Sequence, residues 1–179
     1  MENNKSMSGS YLKFFAMIAT SMVVMFCLMY LNSYQIIDHA WFSETRVFMT
    51  LIMGGGMIIV MLAFMLGMYR SSKANVAVFC SGGLLILLGV WLVRSQIIVD
   101  GVDYMQGMIP HHSIAILTSE RAKITDPRVR KLADEIIDAQ RKEIKAMEWL
   151  INDIEKNGLA EGEAAAALRP VPKFAPTPE

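Results

Sequence analysis

The sequence predicts an all-α protein in which three transmembrane helices precede a two-helix hairpin. Hydrophobic residues make up 54% of the 179-residue chain and its mean hydropathy is +0.37, both high for a soluble globular protein. The excess lies in three apolar runs, whereas the chain after Arg94 carries apolar residues at helical spacing. We therefore divide the chain into a membrane region at 1–94, a hairpin at 95–158 and a flexible tail, rich in Ala and Pro, at 159–179.

Each of the three apolar runs is long enough to cross about 30 Å of hydrocarbon as a helix. They cover residues 11–31, 47–69 and 75–93, and Lys13 is the one charged residue inside them. The first run is too long for a cleaved secretory signal and has no small-residue cleavage site after it. We therefore expect it to remain attached as a signal anchor.

Basic residues predict the orientation of these helices, because positively charged flanks tend to stay in the cytoplasm. Four basic residues flank one side of the predicted membrane and two flank the other. The larger group is Lys5, Lys13, Arg70 and Lys73, and the smaller is Arg46 and Arg94. The N-terminus is therefore expected in the cytoplasm of a bacterial cell. The chain after Arg94 is expected outside the inner membrane, in the periplasm or on the cell exterior.

The second predicted span carries methionine at every fourth position and a run of three glycines. The methionines are Met49, Met53, Met57, Met61 and Met65. They are either apolar filler or a thioether ladder for Cu(I), similar to the Met-x-x-x-Met step of a eukaryotic copper-transporter family. The glycines are expected to permit close helix packing, and they are Gly54, Gly55 and Gly56, with Gly82 and Gly83 in the third span.

The remaining residues of the membrane region indicate little chemistry. Cys27 and Cys80 both lie inside predicted spans, so we expect inert thiols and no disulfide framework. His39, in the short loop between the first two spans, is expected to be solvated at the membrane surface. The net charge is zero and no basic stripe is present, which argues against a nucleic-acid partner.

Two amphipathic helices are predicted after the membrane region, roughly at Asp103 to Lys123 and Pro127 to Lys156. Asp126 is a good N-cap, and Pro127 occupies the first helical position, where a missing donor costs nothing. Gly158 is expected to end the second helix. The predicted apolar face of that helix consists of Val129, Ala133, Ile136, Gln140, Ile144, Met147, Ile151 and Ile154.

Side chains able to bind a soft metal gather near the start of the hairpin. On a helix, Met105, Met108 and His112 fall within an arc of about 60°, so two thioethers and an imidazole converge on one face. His111 lies about 100° from His112 and is an alternate ligand. Pro110 cannot donate to the preceding turn, which predicts a kink that aims the two imidazole rings.

The second helix of the hairpin is expected to complete this candidate site. Met147 would be a further thioether ligand. Asp103, Gln140 and Glu143 would support the ligands without binding the metal themselves. For Gln140 an alternative has equal weight: its side chain donates a hydrogen bond to a backbone carbonyl that the kink at Pro110 leaves without a helical partner.

The same methionines and histidines also allow an interpretation in which they bind no metal. Met and His on the inward face of an amphipathic helix are often gap-filling core residues. Thioethers, however, are poor ligands for Zn²⁺, Mg²⁺ or Ca²⁺ and good ligands for Cu(I). A Met-Met-His cluster without cysteine therefore selects copper if it selects a metal.

The hairpin resembles the DUF305 family. The resemblance covers about 60 residues and a dozen positions in order, among them Met108-Ile109-Pro110-His111-His112, Asp126-Pro127, Gln140, Glu143-Ile144, Met147 and Trp149-Leu150. It implies a ferritin-like helical bundle and, from characterised relatives, extracytoplasmic copper binding through Met and His that is linked to copper tolerance. Thr118 stands where members often carry a further Met, which implies a relocated or poorer ligand set.

A hairpin of about 55 residues buries too little apolar surface to be stable alone, so we expect a homo-oligomer in which two hairpins close a four-helix bundle. The leading hypothesis is a non-enzymatic, membrane-anchored Cu(I)-binding protein that buffers copper or passes it to copper-handling partners. The alternative is a structural or sensory membrane module whose hairpin binds a protein partner. Paired Glu-x-x-His motifs, a nucleophile constellation and a phosphate-binding loop are all absent from the sequence, so an enzyme is not expected.

Overall fold

The computed structural model describes residues 2–35 and 38–176, with side chains described for 10–31, 33–35 and 38–176. The described chain is all helical, which confirms the predicted fold class. Its α-helices are α1 (Glu2–Leu28), α2 (Glu44–Met65), α3 (Ser72–Ser95), α4 (Gly101–Arg121), α5 (Pro127–Asn157) and α6 (Glu163–Leu168), and a short 3-10 helix, Met29–Asn32, follows α1. The predicted closure of a bundle by oligomerisation stays a prediction. The side chain of Lys5, one of the residues used to predict orientation, lies outside the described residues, as do the last three residues of the predicted tail.

The chain forms two compact units. The apolar unit consists of Met1–Met29 and Glu44–Ile98, and the hairpin unit consists of Tyr30–Ser43 and Val99–Glu179. The division at residue 94 predicted from sequence therefore omits one element of the hairpin unit. The loop between the first two apolar helices belongs with α4 and α5. We call this segment, Tyr30–Ser43, the strap.

Three helices of the apolar unit are long and apolar enough to cross a membrane. They span Ser10–Leu31, Glu44–Met65 and Ser72–Ser95, in agreement with the three predicted runs apart from shifts of a few residues at their ends. Large apolar side chains project from them into the surroundings, among them Phe64 at 90% and Leu87 at 70% exposure. Such a surface is typical of helices surrounded by lipid, which supports membrane association.

Glycine allows α2 and α3 to approach closely, as the sequence predicted, but only some of the predicted glycines take part. A Cβ atom added to Gly55 would lie 2.5 Å from the carbonyl oxygen of Gly82, and one added to Gly82 would lie 2.9 Å from that of Gly55. Gly56 and Gly83 have nothing within 4 Å of such a Cβ atom. Gly89 of α3 approaches α2 in the same way, since its added Cβ atom would lie 3.0 Å from the carbonyl oxygen of Phe48. The tight helix contact therefore depends on Gly55 of α2 and on Gly82 and Gly89 of α3.

Local capping defines the two helices of the hairpin. The carboxylate of Asp100 accepts hydrogen bonds from the backbone N–H groups of Val102 and Asp103, and Asp103 accepts one in return from Asp100. This reciprocal pair starts α4 two residues before the predicted position. Asp126 caps α5 as predicted, and Pro127 is its first residue.

The cap of α5 is strengthened by an ion pair. The guanidinium of Arg128 donates to both oxygens of Asp126, with Nη2–Oδ2 at 2.7 Å and Nε–Oδ1 at 3.1 Å. These bonds, together with the backbone N–H of Arg128, hold the pKa of Asp126 below its ordinary value. The pair pre-orders the first turn of α5.

The core of the hairpin unit lies between α4 and α5. Its buried members are Met105, Ile109, Ile116, Ile137, Ile144, Met147 and Ile151. The predicted face of α5 was wrong at two positions, because Ile136 and Val129 are 36% and 48% exposed while Ile137 is buried. Counted from Ala133, the buried positions on α5 are separated by four, seven, three and four residues, and this helical spacing selects Ile137 over its neighbour.

Two further segments differ from the sequence-based expectations. Residues 163–168, assigned to a flexible tail, form α6, since four consecutive alanines have high helix propensity. Arg169 then pairs with Asp153 of α5 at 2.7 Å, which holds the tail against the hairpin. His39, expected to be solvated, is 2% exposed and hydrogen-bonded to α4.

Candidate functional site

The candidate site begins with His112, whose imidazole ring is held at both nitrogens. Nδ1 lies 2.8 Å from the carbonyl oxygen of Met108, and because a carbonyl only accepts, Nδ1 carries the proton and donates. Nε2 lies 2.8 Å from Oε2 of Glu143. His112 is 12% exposed, whereas the Glu143 side chain is 56% exposed. Glu143 thus holds the outward nitrogen of the ring, which is the nitrogen that a metal would use.

The three candidate thioether ligands belong to one apolar cluster. Met105 on α4 and Met147 on α5 are buried at 7% and 9% exposure, and Met108 packs against the same cluster from a half-buried position. The hairpin therefore brings together methionines that lie about 40 residues apart in sequence. Their neighbours include Ile109 and Ile144, so the thioethers have apolar surroundings.

The other predicted site residues differ in their surroundings. His111 is exposed, with its ring centroid 6.0 Å from that of His112 and the two rings inclined at 68°. Gln140 is half-buried on α5. The carboxylate of Asp103 takes part in the cap of α4, and its support of a metal ligand stays a prediction. The helix continues through Pro110, which is itself buried.

Sequence reasoning missed the strap and its attachment to α4. The Ser113 hydroxyl, fully buried, accepts the backbone N–H of Tyr34 at 2.6 Å and is hydrogen-bonded to Nδ1 of His39 at 2.8 Å. Tyr34 and Trp41 of the strap pack against the cluster that contains the methionines. The one available signal in sequence was a small polar residue, Ser113, directly after two histidines on the buried side of a helix.

Ser43, at the end of the strap, rests on α4 where that helix has no side chain. A Cβ atom added to Gly107 would lie 3.1 Å from the Ser43 hydroxyl. Gly107 therefore makes room for the strap. Together these contacts make the strap a third layer of the hairpin unit.

A second concave feature lies toward the α4–α5 turn and has charged walls. It is an open cleft of about 430 Å³ lined by Glu120, Arg130, Asp134, Ile137, Asp138 and Arg141. Arg141 pairs with Glu120 at 2.5 Å and Arg130 with Asp134 at 2.7 Å. Most of the negative charge is therefore already neutralised, and the cleft offers little to a cation.

Within the described ranges, no group of three or more His, Cys, Asp or Glu side chains is placed to hold a metal ion. His112 and Glu143 make a pair rather than such a group. The other candidate donors of the hairpin are the thioethers of Met105, Met108 and Met147. Thioether sulfur is a good ligand for Cu(I) and a poor one for Zn²⁺ or Ca²⁺.

Comparisons with known proteins agree with the hairpin's sequence pattern. The family described as "Domain of unknown function (DUF305)" matches residues 101–172. The protein named "Uncharacterized protein L153" from Acanthamoeba polyphaga mimivirus is 32% identical over 108 residues, which cover 59% of this chain and 69% of that relative. No solved structure matches the chain.

Proposed function

The chain belongs to the DUF305 family, and on that premise we propose that it is a membrane-anchored protein that binds copper as Cu(I) on its hairpin unit. The proposed ligands are Met105, Met108, Met147 and His112, with His111 as the alternate. The proposed role is copper buffering, tolerance or transfer rather than catalysis. Copper is here the cargo, taken from one copper-handling protein and delivered to another.

The observation that carries this proposal is that three methionines belong to one apolar cluster and that the carbonyl of one of them, Met108, bonds the His112 imidazole. Thioether sulfur is soft and uncharged, so it favours Cu(I) over the harder divalent ions. The apolar surroundings would exclude water and keep a bound Cu(I) from solvent. Binding requires the cluster to rearrange, because Met105 and Met147 are packed as core residues.

His112 would join such a site by exchanging partners. Its Nε2 faces Glu143, and that carboxylate is more than half exposed, so it can turn to solvent at small cost. Met108 supplies both a sulfur and the carbonyl that orients the ring. His112 and Met108 would therefore act together, because the Met108 carbonyl bonds Nδ1 and so orients Nε2, the nitrogen that would bind copper.

Copper titration of the full chain in detergent tests the proposal. Cu(I) should bind far more tightly than Zn²⁺, and Met147→Leu should lower the Cu(I) affinity by one to several orders of magnitude. Met-to-Leu swaps in cores usually cost less than about 1.5 kcal/mol of stability, so the fold should survive. Met68→Leu is the matched control, because Met68 is 70% exposed in the other unit. Equal binding of Zn²⁺, or unchanged Cu(I) affinity in Met147→Leu, would reject the site.

His112→Gln separates a ligand from a packed side chain. Glutamine keeps a hydrogen-bonding group and similar bulk but replaces the imidazole nitrogen poorly for Cu(I). Copper affinity should fall at least tenfold, about 1.4 kcal/mol, while circular dichroism shows unchanged helicity. Copper binding that is unaffected would remove His112 from the site.

We also propose that the hairpin unit is extracytoplasmic, with the N-terminus in the cytoplasm of a bacterium and the apolar helices in its inner membrane. The asymmetry of basic residues around the apolar helices supports this orientation. A reporter that is active only outside the cytoplasm, fused after Lys156, should be active. Activity of a cytoplasm-only reporter at the same position would reverse the orientation.

The alternative function is a structural or sensory membrane module that binds a protein partner without metal. The dense packing of Met105 and Met147 against isoleucines favours it, because methionine fills irregular gaps in cores. The copper titration distinguishes the two functions. A chain that binds no copper in either oxidation state supports the alternative.

A further inference from the structure

The N-terminal half of helix α5 carries an exposed apolar stripe that adjoins its core face. Val129, Leu132 and Ile136 are 48%, 56% and 36% exposed. Leu132 and Ile136 follow Val129 by three and seven residues, which places all three within an arc of about 60° on the helix. The strap covers the hairpin core through Tyr34 and Trp41, whereas this stripe is open to the surroundings.

Two charged side chains flank the stripe on the same side of α5. Arg128 precedes Leu132 by four residues and Glu135 follows it by three. At about 100° per residue, the two lie within roughly 20° of each other around the helix axis. Their side chains are 90% and 63% exposed, so both are free to change partners from Asp126 and Lys131.

This arrangement is complementary to itself when two copies of α5 run antiparallel. With Leu132 near the two-fold axis, Val129 of one copy faces Ile136 of the other. Arg128 of each copy then lies beside Glu135 of its counterpart, so two ion pairs border the apolar contact. A parallel pairing would instead place the charged flanks of the two copies on opposite edges of the contact, so Arg128 would not meet Glu135 of the other copy.

We propose that a second copy of this chain docks on the stripe Val129–Leu132–Ile136, with the two α5 helices antiparallel. The charge pattern favours this occupant over a lipid surface, because helices that lie on membranes carry an excess of Lys and Arg beside their apolar face. Here the negative charge of Glu135 balances the positive charge of Arg128. The interface is independent of copper and stands whether or not the hairpin binds metal.

Cross-linking of the full chain in membranes tests the contact. The two native cysteines, Cys27 and Cys80, are first replaced by alanine. Packed helix axes lie about 8–10 Å apart, so Leu132→Cys should give a covalent dimer with a short bismaleimide. Asp138→Cys is the control, on the same helix about 150° from the stripe, and should remain monomeric.

Charge reversal tests the antiparallel pairing itself. In the Leu132→Cys background, Arg128→Glu and Glu135→Arg should each reduce the cross-linked dimer at least threefold, and the double reversal should restore it. Failure of Leu132→Cys to cross-link would overturn the proposal. Equal cross-linking at Asp138→Cys, a product whose mass is not twice that of the chain, or no restoration in the double reversal would also overturn it.

Discussion

Replacing Ser113 by alanine should release the strap from the hairpin without unfolding the hairpin. The Ser113 hydroxyl is fully buried and bonds both the backbone N–H of Tyr34 and Nδ1 of His39. Without it, two polar groups would stay buried without this partner, at a cost of about 1–3 kcal/mol each. Alanine returns at most about 0.5 kcal/mol in helix propensity. The closed strap is thus destabilised by roughly 2–5 kcal/mol, most of which is avoided if the strap opens to water.

Hydrogen exchange measures this opening directly. A shift of about 1.4 kcal/mol changes an opening equilibrium tenfold, so the Tyr34 amide should exchange at least ten times faster in Ser113→Ala. Amides in the centres of α4 and α5 should keep their protection, because the isoleucine core between them is unchanged. Thr118→Ala is the control on the same helix, since the Thr118 hydroxyl is exposed and donates to carbonyls of its own helix.

A double-mutant cycle links the effect to His39. If Ser113 and His39 act through their mutual hydrogen bond, the effects of Ser113→Ala and His39→Ala on Tyr34 exchange should not add. Unaltered exchange at the Tyr34 amide in Ser113→Ala would refute the conclusion that Ser113 holds the strap on α4. Equal loss of protection in α4 and α5 would show that Ser113 stabilises the hairpin itself and not the strap.

The remaining predictions concern the helix contacts, a helix cap and the tail. Gly82→Ala should lower the thermal unfolding temperature in detergent, because its Cβ would press on the backbone of α2, while Gly83→Ala should leave it unchanged. Arg128→Ala should raise the pKa of Asp126 towards its ordinary value, as followed by carboxyl NMR. A lowered pKa contributes stability that is present above the ordinary pKa and lost as pH falls through the lowered one, so wild-type α5 should keep its first turn to lower pH than the variant. Arg169→Ala should speed amide exchange in α6 and leave the core of the hairpin protected, since it removes the ion pair that holds the tail; unchanged exchange in α6 would show that the pair contributes nothing.

Local composition was sufficient to predict the five long helices, but not α6. A run of about 20 apolar residues forms a helix in a membrane whatever surrounds it, because its backbone groups must bond internally. Asp126 and Pro127 act within one turn of their own position, so the start of α5 was also predictable. The core face of α5 was predicted less well. A one-residue error between Ile136 and Ile137 turns the face by about 100°, and hydrophobicity alone does not distinguish two adjacent isoleucines.

Of the candidate site, the sequence predicted the methionines and His112 through their spacing, and the structure brought Met147 into the same cluster. The partner of the imidazole was decided by the tertiary structure. Glu143 bonds His112 across 31 residues of sequence, and the position of a carboxylate on the opposite helix depends on how the hairpin closes. Asp103, by contrast, accepts the backbone N–H of Asp100 in the cap of α4.

By itself, the sequence determined the five long helices, where α5 starts and which residue types gather at the hairpin. The tertiary structure alone decided that the loop between the first two apolar helices packs on α4 and buries His39. The contacts between His39 or Tyr34 and Ser113 join residues 74 and 79 positions apart. Periodicity and capping act within a turn or two of helix, whereas contacts of this kind form only once the chain has been folded back by everything between them.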